Sequence, residues 1–365
     1  RALLQKVHAL QGNIRVLVRV RPPRSCLGAE VDAREVRKVA AECPVRASPD
    51  GARLWVDVPT ATADPRASGS ELREFRFDHV FGCLGRQAEV FGELEALVQS
   101  ALDGTDATVL AYGQTGSGKT HTISGTADDH GVVPRTIHSL FHLADERAAT
   151  HQIQFRVSVL EVYNETFRDL LANTPIEEDE DMEEEGEEGD GMEEDGEEDG
   201  EPVEDAASAL SLVESAWAQR SVGSTDMNGR SSRSHCVTLI RVASTSFRDE
   251  TNAEATLALV DLAGSERLSR SHAVGDRLRE ARHINRSLAA LGDVVAAMQQ
   301  RQRHIPFRNS KLTTLLSRSL GQGARVALVA QVSPDTDDLG ETLCTLKFAE
   351  RAASVQLGRA RRRVD

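Results

Sequence analysis

The chain has 365 residues, which is enough to bury the core of one large domain or of two smaller ones. Its formal net charge of −15 comes from one segment: residues 177–205 hold 20 acidic side chains among 29 and no Lys or Arg, while the other 336 residues carry 43 basic against 38 acidic side chains. No apolar stretch approaches the ~20 residues that cross a bilayer, and the five cysteines lack CxxC or metal-ligand spacing, so we expect a cytoplasmic protein without membrane insertion or structural disulfides.

The first twelve residues predict a short helix. Leu3, Val7 and Leu10 are spaced four and three apart, as in a coiled-coil seam, although an ordinary amphipathic helix fits equally well. Gly12 is a typical helix terminator, and Asn13 leads into the first predicted strand. Because the chain begins with Arg rather than Met, we expect it to be part of a longer protein.

Strands alternate with helices along the rest of the chain. Apolar, often β-branched runs predict strands at 14–20, 108–112, 155–162, 236–242, 257–260 and 326–332. Amphipathic patterns predict helices at 87–102, 134–149, 206–220, 276–300 and 339–355. This alternation predicts an α/β fold, a three-layer sandwich in which helices flank a central, mostly parallel sheet.

The octapeptide that follows the predicted strand 108–112 has the pattern of a phosphate-binding loop. A strand that delivers a Gly-rich turn into a helix start directs several backbone N–H groups at one point, where they can hold triphosphate oxygens. Lys119 can reach the β- and γ-phosphates, and the Thr120 hydroxyl can coordinate Mg²⁺. We therefore predict a nucleoside triphosphate site made by Gly113, Gln114, Thr115, Gly116, Ser117, Gly118, Lys119 and Thr120.

The acidic segment 177–205 is predicted to be a disordered loop inserted within the domain. Its like charges repel one another, and it has almost no apolar side chains to bury. Such a segment is either inert or an electrostatic modulator of binding.

Two further polar segments supply groups that triphosphate hydrolysis needs. The sequence DLAGSE (261–266) follows the strand 257–260, so Asp261 can hold Mg²⁺ through water and the Gly264 N–H can contact a γ-phosphate. Alone, Asp261 would be an ordinary turn or helix-cap residue. The sequence NGRSSRSH (228–235) concentrates hydroxyl, amide and guanidinium groups, and alone it would be a polar loop.

In this order and spacing, GQTGSGKT, NGRSSRSH and DLAGSE resemble the nucleotide loop and the two switch segments of the kinesin motor domain. Further similar motifs are RVRP (19–22), FDHVF (77–81), EVYNE (161–165), HINRSL (283–288) and RNSKLT (308–313). The resemblance covers residues 13–357 apart from the acidic segment. It implies the P-loop NTPase form of the predicted sandwich and a microtubule-dependent motor that hydrolyses ATP to ADP with Mg²⁺.

The resemblance assigns the nucleotide and metal contacts residue by residue. Arg19 and Pro22 are expected to line the adenine pocket. Ser232 would be a second protein ligand of Mg²⁺ beside Thr120, and Asp261 would hold the ion through water.

It also assigns the residues that respond to the γ-phosphate. Gly264 would sense this phosphate, and Asn228 and Ser231 would lie near it and near the attacking water. Arg233 and Glu266 would form a salt bridge that closes the two switch segments, which we call the latch. Its expected role is to orient the lytic water.

The ends of the chain refine the class. A helix that runs through Gly12 and Asn13 into the first strand is similar to the neck of the C-terminal-motor kinesins, in which a coiled coil precedes the motor domain and movement is toward the microtubule minus end. This resemblance divides the chain into a neck helix (1–12), a motor domain (13–357) and a basic tail (358–365), and it implies a homodimer formed through an upstream coiled coil. The tail is expected to be either a solvated end or a contact with the track or neck.

The resemblance places the track-binding face at about residues 285–320, the helix after the second switch with the following loop and helix. A cationic face suits the acidic tubulin surface, and the available side chains are Arg286, Arg301, Arg303, His304, Arg308, Lys311 and Arg318. The family's small β lobe after residue 171 is expected to be missing or much shortened, with the acidic segment in its place. We therefore expect weaker and more salt-sensitive microtubule binding than in a typical kinesin.

The sequence leaves two functions open, an ATP-driven motor and a nucleotide-binding microtubule tether or scaffold with little motility. A small GTPase is less favoured because no Asn-Lys-x-Asp signature follows the phosphate loop, and a dinucleotide enzyme because the loop lacks GxGxxG spacing. We expect a cytoskeletal location and no nucleic acid partner.

Overall fold

A ten-stranded mixed sheet forms the centre of the molecule, beside a separate three-stranded sheet. The computed structural model describes residues 14–27, 32–60, 69–172, 174–175, 200–222, 232–267, 276–321, 323–357 and 360–363. The strands are β1 (Ile14–Val20), β2 (Val45–Ala47), β3 (Arg53–Thr60), β4 (Gly69–Arg76), β5 (His79–Phe81), β6 (Ala107–Tyr112), β7 (His151–Tyr163), β8 (Thr166–Asp169), β9 (Thr174–Pro175), β10 (Glu201–Val203), β11 (His235–Ser246), β12 (Asn252–Asp261) and β13 (Arg325–Val332). The α-helices among these residues are α1 (Ala33–Glu42), α2 (Gln87–Leu102), α3 (Lys119–Ile123), α4 (Val132–Arg147), α5 (Ala206–Val222), α6 (Asp276–Gln299), α7 (Lys311–Leu315) and α8 (Leu339–Ala353).

The large sheet has a parallel part and an antiparallel part. Five neighbouring strands are parallel in the order β5-β1-β13-β6-β12. The sheet then continues antiparallel as β11-β7-β8-β9, and β10 also pairs with β7. The predicted α/β sandwich with its central parallel strands is thus confirmed, with an antiparallel extension on one side.

The central strands are buried on both faces. Val109 and Ala111 of β6 belong to the core that α2, α4 and α5 cover, whereas Leu110 belongs to the core that α6, α7 and α8 cover. Because β1, β6, β12 and β13 run in one direction, the loops that follow them meet at one edge of the sheet. This edge carries the phosphate loop and the two segments predicted to face it.

Each predicted strand and helix of the α/β pattern is present, with its bounds shifted by at most five residues. The largest shifts are in β7, β11 and β12, which extend each other through antiparallel pairing. The small sheet β2-β3-β4 was not predicted. Among the described helices, none is both long enough and apolar enough to cross a bilayer. The predicted neck helix, with Gly12 and Asn13, lies outside the described residues.

The predicted bounds of the acidic insertion are wrong at its C-terminal end. β10 pairs with β7 through Pro202 and Arg156, and the Val203 side chain is buried. Asp205 then accepts a 2.7 Å hydrogen bond from the Ser208 N–H at the start of α5. These residues have a strand partner and an apolar anchor, so they fold in spite of their charge. Residues 176–199 lie outside the described part of the chain.

The described part of the basic tail, residues 360–363, binds the body of the domain rather than lying free in solvent. The Arg363 N–H donates to Gly104 O over 2.8 Å, and the Arg361 N–H donates to Gly323 O over 2.9 Å. The Arg363 guanidinium lies 3.0 Å from the carboxylate of Asp106, and that of Arg362 lies 3.6 Å from another acidic residue nearby. The expectation of a solvated end is therefore wrong for these residues, because backbone and charge partners are both available to them.

Candidate functional site

The phosphate loop leaves β6 in the middle of the sheet and enters α3. Gly113 has a φ of 154°, and a side chain there would clash with the carbonyl oxygen of Gln331. Gly118 has a φ of 103° directly before α3, a conformation that glycine adopts at low cost. A Cβ at Gly116 or Gly118 would meet no described atom within 4 Å. The loop therefore has the close backbone approach and the uncovered surface that a phosphate ligand requires.

Lys119 places a buried positive charge on this loop. Its side chain is only 6% exposed, and Nζ donates to Gly113 O over 2.8 Å and to Gln114 O over 3.0 Å. Burial lowers the pKa of Lys119, and the nearby carboxylates of Asp261 and Glu266 partly oppose this. An ammonium that is desolvated and held by neutral carbonyl groups favours an anionic ligand.

Asp261 ends β12 beside the loop and is 3% exposed. Its Oδ2 accepts hydrogen bonds from Thr120 Oγ1 over 2.8 Å and from an Arg220 guanidinium nitrogen over 3.2 Å. Its Oδ1 is buried and has no hydrogen-bond partner among the described residues. A buried carboxylate oxygen in this state costs free energy unless water or a cation satisfies it.

The donor set fits a hard divalent cation bound largely through water. Thr120 and Asp261 offer a hydroxyl and a carboxylate, the oxygen ligands that Mg²⁺ prefers together with several waters. No cluster of three His, Cys, Asp or Glu side chains with metal-site geometry occurs in the described ranges. The chemistry therefore matches the predicted ligands rather than a transition-metal site.

Arg220 is a site residue that the sequence reading missed. It lies in the last turn of α5, is 5% exposed, and binds Ser234 through its hydroxyl over 3.2 Å and its carbonyl over 2.7 Å. The same guanidinium lies 3.9 Å from the fully buried Glu161. A lone arginine in a helix carries no motif, so only the fold reveals that it joins α5, β7 and β12.

The two switch segments contact each other and the loop through their backbones. The Gly264 N–H donates to Ser232 O over 2.9 Å, and the Ser265 N–H donates to Gly113 O over 3.1 Å. The loop, the end of the first switch and the start of the second switch are thus brought together as predicted. Asn228 and Ser231 lie outside the described residues.

The predicted latch between Arg233 and Glu266 is not formed in this structure. Glu266 instead accepts hydrogen bonds from the Thr115 N–H over 2.9 Å and from Thr115 Oγ1 over 2.7 Å. Arg233 pairs with Glu280 of α6 over 2.9 Å. In this structure each member of the latch has another partner, so the latch stays a prediction.

Arg19 lies at the end of β1, on the same edge of the sheet as the loop. Its guanidinium donates to Gln87 Oε1 over 2.7 Å, to Thr122 Oγ1 over 2.9 Å and to a backbone carbonyl of the loop before α2. Gln87 in turn donates to the carbonyl of His121, another residue that the sequence reading did not single out. Arg19 therefore ties β1, α2 and α3 together, and its predicted place beside adenine, with the half-buried Pro22, stays a prediction.

Six of the seven predicted track-binding cations are exposed: Arg286, Arg301, Arg303, His304, Arg308 and Arg318. Lys311 is half-buried. Its backbone N–H donates to the Glu165 carboxylate over 2.8 Å, and its Nζ lies 5.9 Å from the centre of the Phe167 ring. Arg301 donates to Gln356 over 2.5 Å. Arg318 lines a cleft of about 750 Å³ with residues of β7, β11 and β12, apart from the loop at 300–310.

Comparison with known proteins identifies the same family. A sequence model of the kinesin motor domain matches residues 19–355. The chain is 39% identical to the kinesin-like protein KIN-14C of Oryza sativa subsp. japonica over 98% of its own length, and it spans 35% of that relative. A solved structure of the C-terminal motor and motor homology domain of Kar3Vik1, fused to a synthetic coiled coil, matches with a TM-score of 0.75 and 30% identity over 96% of this chain and 88% of that one. The structure of a fast kinesin matches with a TM-score of 0.75 and 33% identity over 97% of this chain and 94% of that one.

Proposed function

This chain belongs to the kinesin motor-domain family, and we propose that it is a microtubule-stimulated ATPase that works as a minus-end-directed motor. The observation that carries the proposal is the buried Asp261 carboxylate, held between Thr120 and Arg220 with one oxygen unpaired, directly beside the phosphate loop. A buried carboxylate oxygen without a hydrogen-bond partner is uncommon, and water or a cation bound at the phosphate loop would satisfy this one.

The phosphate loop is proposed to hold ATP with Mg²⁺. Lys119 exchanges its carbonyl acceptors for phosphate oxygens, which have the opposite charge and are the better acceptors. Thr120 and Ser232 are the proposed protein ligands of Mg²⁺, with Asp261 acting through water. When bound, Mg²⁺ neutralises charge that develops on the transferring phosphoryl group.

Sensing of the γ-phosphate is proposed to depend on Gly264. Its N–H now donates to Ser232 O, so it has an acceptor to exchange when a γ-phosphate arrives. Asn228 and Ser231 are proposed to position the attacking water next to this phosphate. No new bond to the protein is needed, because hydrolysis requires only orientation and charge stabilisation here.

The latch is proposed to alternate between two arrangements. In the structure Glu266 binds Thr115 and Arg233 binds Glu280. Formation of the Arg233–Glu266 pair breaks both contacts, so closing the site releases α6 from the first switch. This exchange supports nucleotide-dependent movement of α6, the helix that begins the proposed track-binding face.

The relatives support the proposed direction of movement and the proposed partners. The chain spans about a third of the length of the curated relative reported above, so the activity of the whole protein is a proposal. The KIN-14 name of that relative and the C-terminal motor of the Kar3Vik1 structure support the C-terminal-motor class. We propose microtubules as the track, Gly12 and Asn13 as part of the neck, a homodimer through an upstream coiled coil, and a location on the cytoskeleton. Gliding of polarity-marked microtubules over a dimerised protein tests the direction.

ATP turnover with and without microtubules tests the motor against the tether. The described nucleotide site has the loop, the cation and the carboxylate that turnover needs, which favours the motor. We expect microtubules to raise the turnover number at least ~10-fold, since track binding is what should speed a coupled cycle. Nucleotide binding without stimulation would support the tether instead.

A further inference from the structure

His235 is the last residue of the first switch segment and the first residue of β11, and it is 2% exposed. Its Nδ1 is 3.1 Å from the backbone nitrogen of Ala263, in the second switch. Its Nε2 is 2.8 Å from Ser287 Oγ, in α6. One rigid ring thus touches both switch segments and the helix that begins the proposed track-binding face.

The identities of the donors and acceptors fix the direction of the hydrogen bonds through His235. The Ala263 N–H can only donate, so Nδ1 accepts and the ring proton lies on Nε2. Ser287 Oγ is 2.8 Å from Ile284 O, to which it donates, so it accepts from Nε2. Burial, followed by the positive charges of Arg220 and Lys119, lowers the pKa of His235 to about 3, which agrees with a neutral ring. The relay therefore runs from Ala263 N–H through the imidazole to Ser287 and Ile284.

A second contact anchors the same face of α6. Arg233, two residues before His235, binds Glu280 over 2.9 Å. Glu280, Ile284 and Ser287 are spaced four and three apart, so they lie on one side of the helix. The first switch thus holds α6 at two points, one of which breaks when the latch closes. The other, at His235, has no competing partner among the described residues.

We propose that His235 is the positioning residue that passes displacement of the second switch to α6, and so couples the γ-phosphate site to track affinity. The inference rests on the proposed motor function. Ala263 directly precedes Gly264, so a shift of the Gly264 N–H from Ser232 O to a phosphate moves the peptide that is bonded to Nδ1. A buried ring has few alternative rotamers, and it carries the movement to Ser287.

Three variants separate the two ends of the relay. Ser287→Ala removes the acceptor of Nε2–H without touching the phosphate site. His235→Asn places an amide oxygen near the position of Nδ1, so it keeps the Ala263 bond and loses the Ser287 bond. His235→Gln reaches the position of Nε2, so it keeps the Ser287 bond and loses the Ala263 bond.

The readout is ATP turnover with and without microtubules, together with microtubule affinity in ADP and in a non-hydrolysable ATP analogue. For Ser287→Ala we expect basal turnover within about 2-fold of wild type and stimulated turnover reduced about 10-fold, with a smaller affinity difference between the two nucleotides. The double variant His235→Asn with Ser287→Ala should lose no more stimulated turnover than either single variant, because both changes break the same hydrogen bond. Additive losses in the double variant would overturn the proposal.

Thermal unfolding of each variant separates coupling from a structural role. A merely structural contact would lower the melting temperature and reduce basal and stimulated turnover equally, which would also overturn the inference. If wild type shows no microtubule stimulation, the proposed function fails. If wild type and Ser287→Ala are stimulated equally, only the coupling role of His235 fails.

Discussion

Arg220 shows how much a single side chain decides at the phosphate site. Its guanidinium lies 3.2 Å from the Asp261 carboxylate, and it also faces the buried Glu161. A charge buried with its partner adds little net stability, but removal of one partner is costly because the other is left unpaired in a medium of low polarity. Arg220 therefore acts by placing a positive charge next to two buried carboxylates, those of Asp261 and Glu161.

Replacing Arg220 with Met should destabilise the fold strongly. We expect a loss of about 3–5 kcal/mol in the free energy of unfolding, because two buried carboxylates lose one of their cations and Asp261 also loses a hydrogen bond. Urea denaturation measures this loss. Arg34 on α1 is exposed, and Arg34→Met is the matched control, with an expected change within about 0.5 kcal/mol. A cost below about 1 kcal/mol for Arg220→Met would show that the carboxylates do not depend on it.

An added methyl group should be tolerated far less well at Gly264 than at Gly340 of α8. A Cβ on Gly264 would clash with Thr115 Oγ1 and with the carboxylate of Glu266, whereas a Cβ on Gly340 of α8 would meet no described atom within 4 Å. We expect Gly264→Ala to reduce microtubule-stimulated turnover at least ~100-fold, since the γ-phosphate contact requires close approach of this backbone. Gly340→Ala should leave turnover unchanged. Near-normal turnover in Gly264→Ala would contradict the proposed role of Gly264 in sensing the γ-phosphate.

The site residues that the sequence predicted belong to a sequence motif, whereas the residues that it missed are brought to the site only by the tertiary fold. Lys119, Thr120 and Asp261 could be assigned because the chemistry of a phosphate loop requires their residue types at fixed places. Arg220 and His235 reach the site from a helix end and a strand start, and their roles depend on tertiary neighbours. The latch stays a prediction for a third reason, since Arg233 and Glu266 have other partners in this structure.

At the scale of secondary structure, the contacts of residues 360–363 with the domain make contributions to the free energy of unfolding that can be measured one side chain at a time. Its backbone hydrogen bonds to Gly104 and Gly323 fix its position, and its arginines bind acidic side chains in the loop between α2 and β6. Arg363 lies 3.0 Å from Asp106, which is 7% exposed, whereas Arg362 lies 3.6 Å from the more exposed Asp103. The two arginines should therefore contribute differently.

Arg363→Ala should cost about 1 kcal/mol of unfolding free energy, and Arg362→Ala less than about 0.5 kcal/mol. The difference arises because Asp106 is shielded from water and Asp103 is not. Chemical denaturation of both variants at low and high salt measures it, and salt should reduce both effects. Negligible costs for both variants would indicate that backbone hydrogen bonds alone hold the tail, and equal nonzero costs would contradict the expected difference.

Sequence patterns predicted the elements unequally well for a physical reason. Parallel strands such as β6 and β13 are apolar on both faces, so composition reveals them. β10 has acidic neighbours and is recognisable only through its pairing with β7. The strands of the small sheet β2-β3-β4 are three to eight residues long and mix polar and apolar side chains. Alternation over so few residues is a weak signal.

At the scale of the whole molecule, charge is divided between two regions of opposite sign. The sequence places 17 acidic residues in the segment 177–199, while the proposed track face presents exposed arginines between residues 286 and 318. Lys311 at the start of α7 contacts the β7–β8 hairpin at Glu165 and Phe167, and the acidic segment follows β8 and β9 in the sequence. An acidic track would be attracted by the arginines and repelled by the acidic segment.

Replacing residues 177–199 with a Gly/Ser segment of equal length should tighten microtubule binding, and the effect should depend on salt. Screening extends over ~10 Å at 0.1 M ionic strength and ~3 Å at 1 M, so repulsion by the native segment is strongest in dilute buffer. We expect the neutral replacement to lower Kd at least ~3-fold at 0.05 M salt and by less than ~2-fold at 0.5 M. Deleting the segment should have the same effect if its charge, rather than its length, is responsible. Cosedimentation over a salt series measures both, and equal Kd values for wild type and the neutral replacement at every salt concentration would show that the segment is inert toward the track.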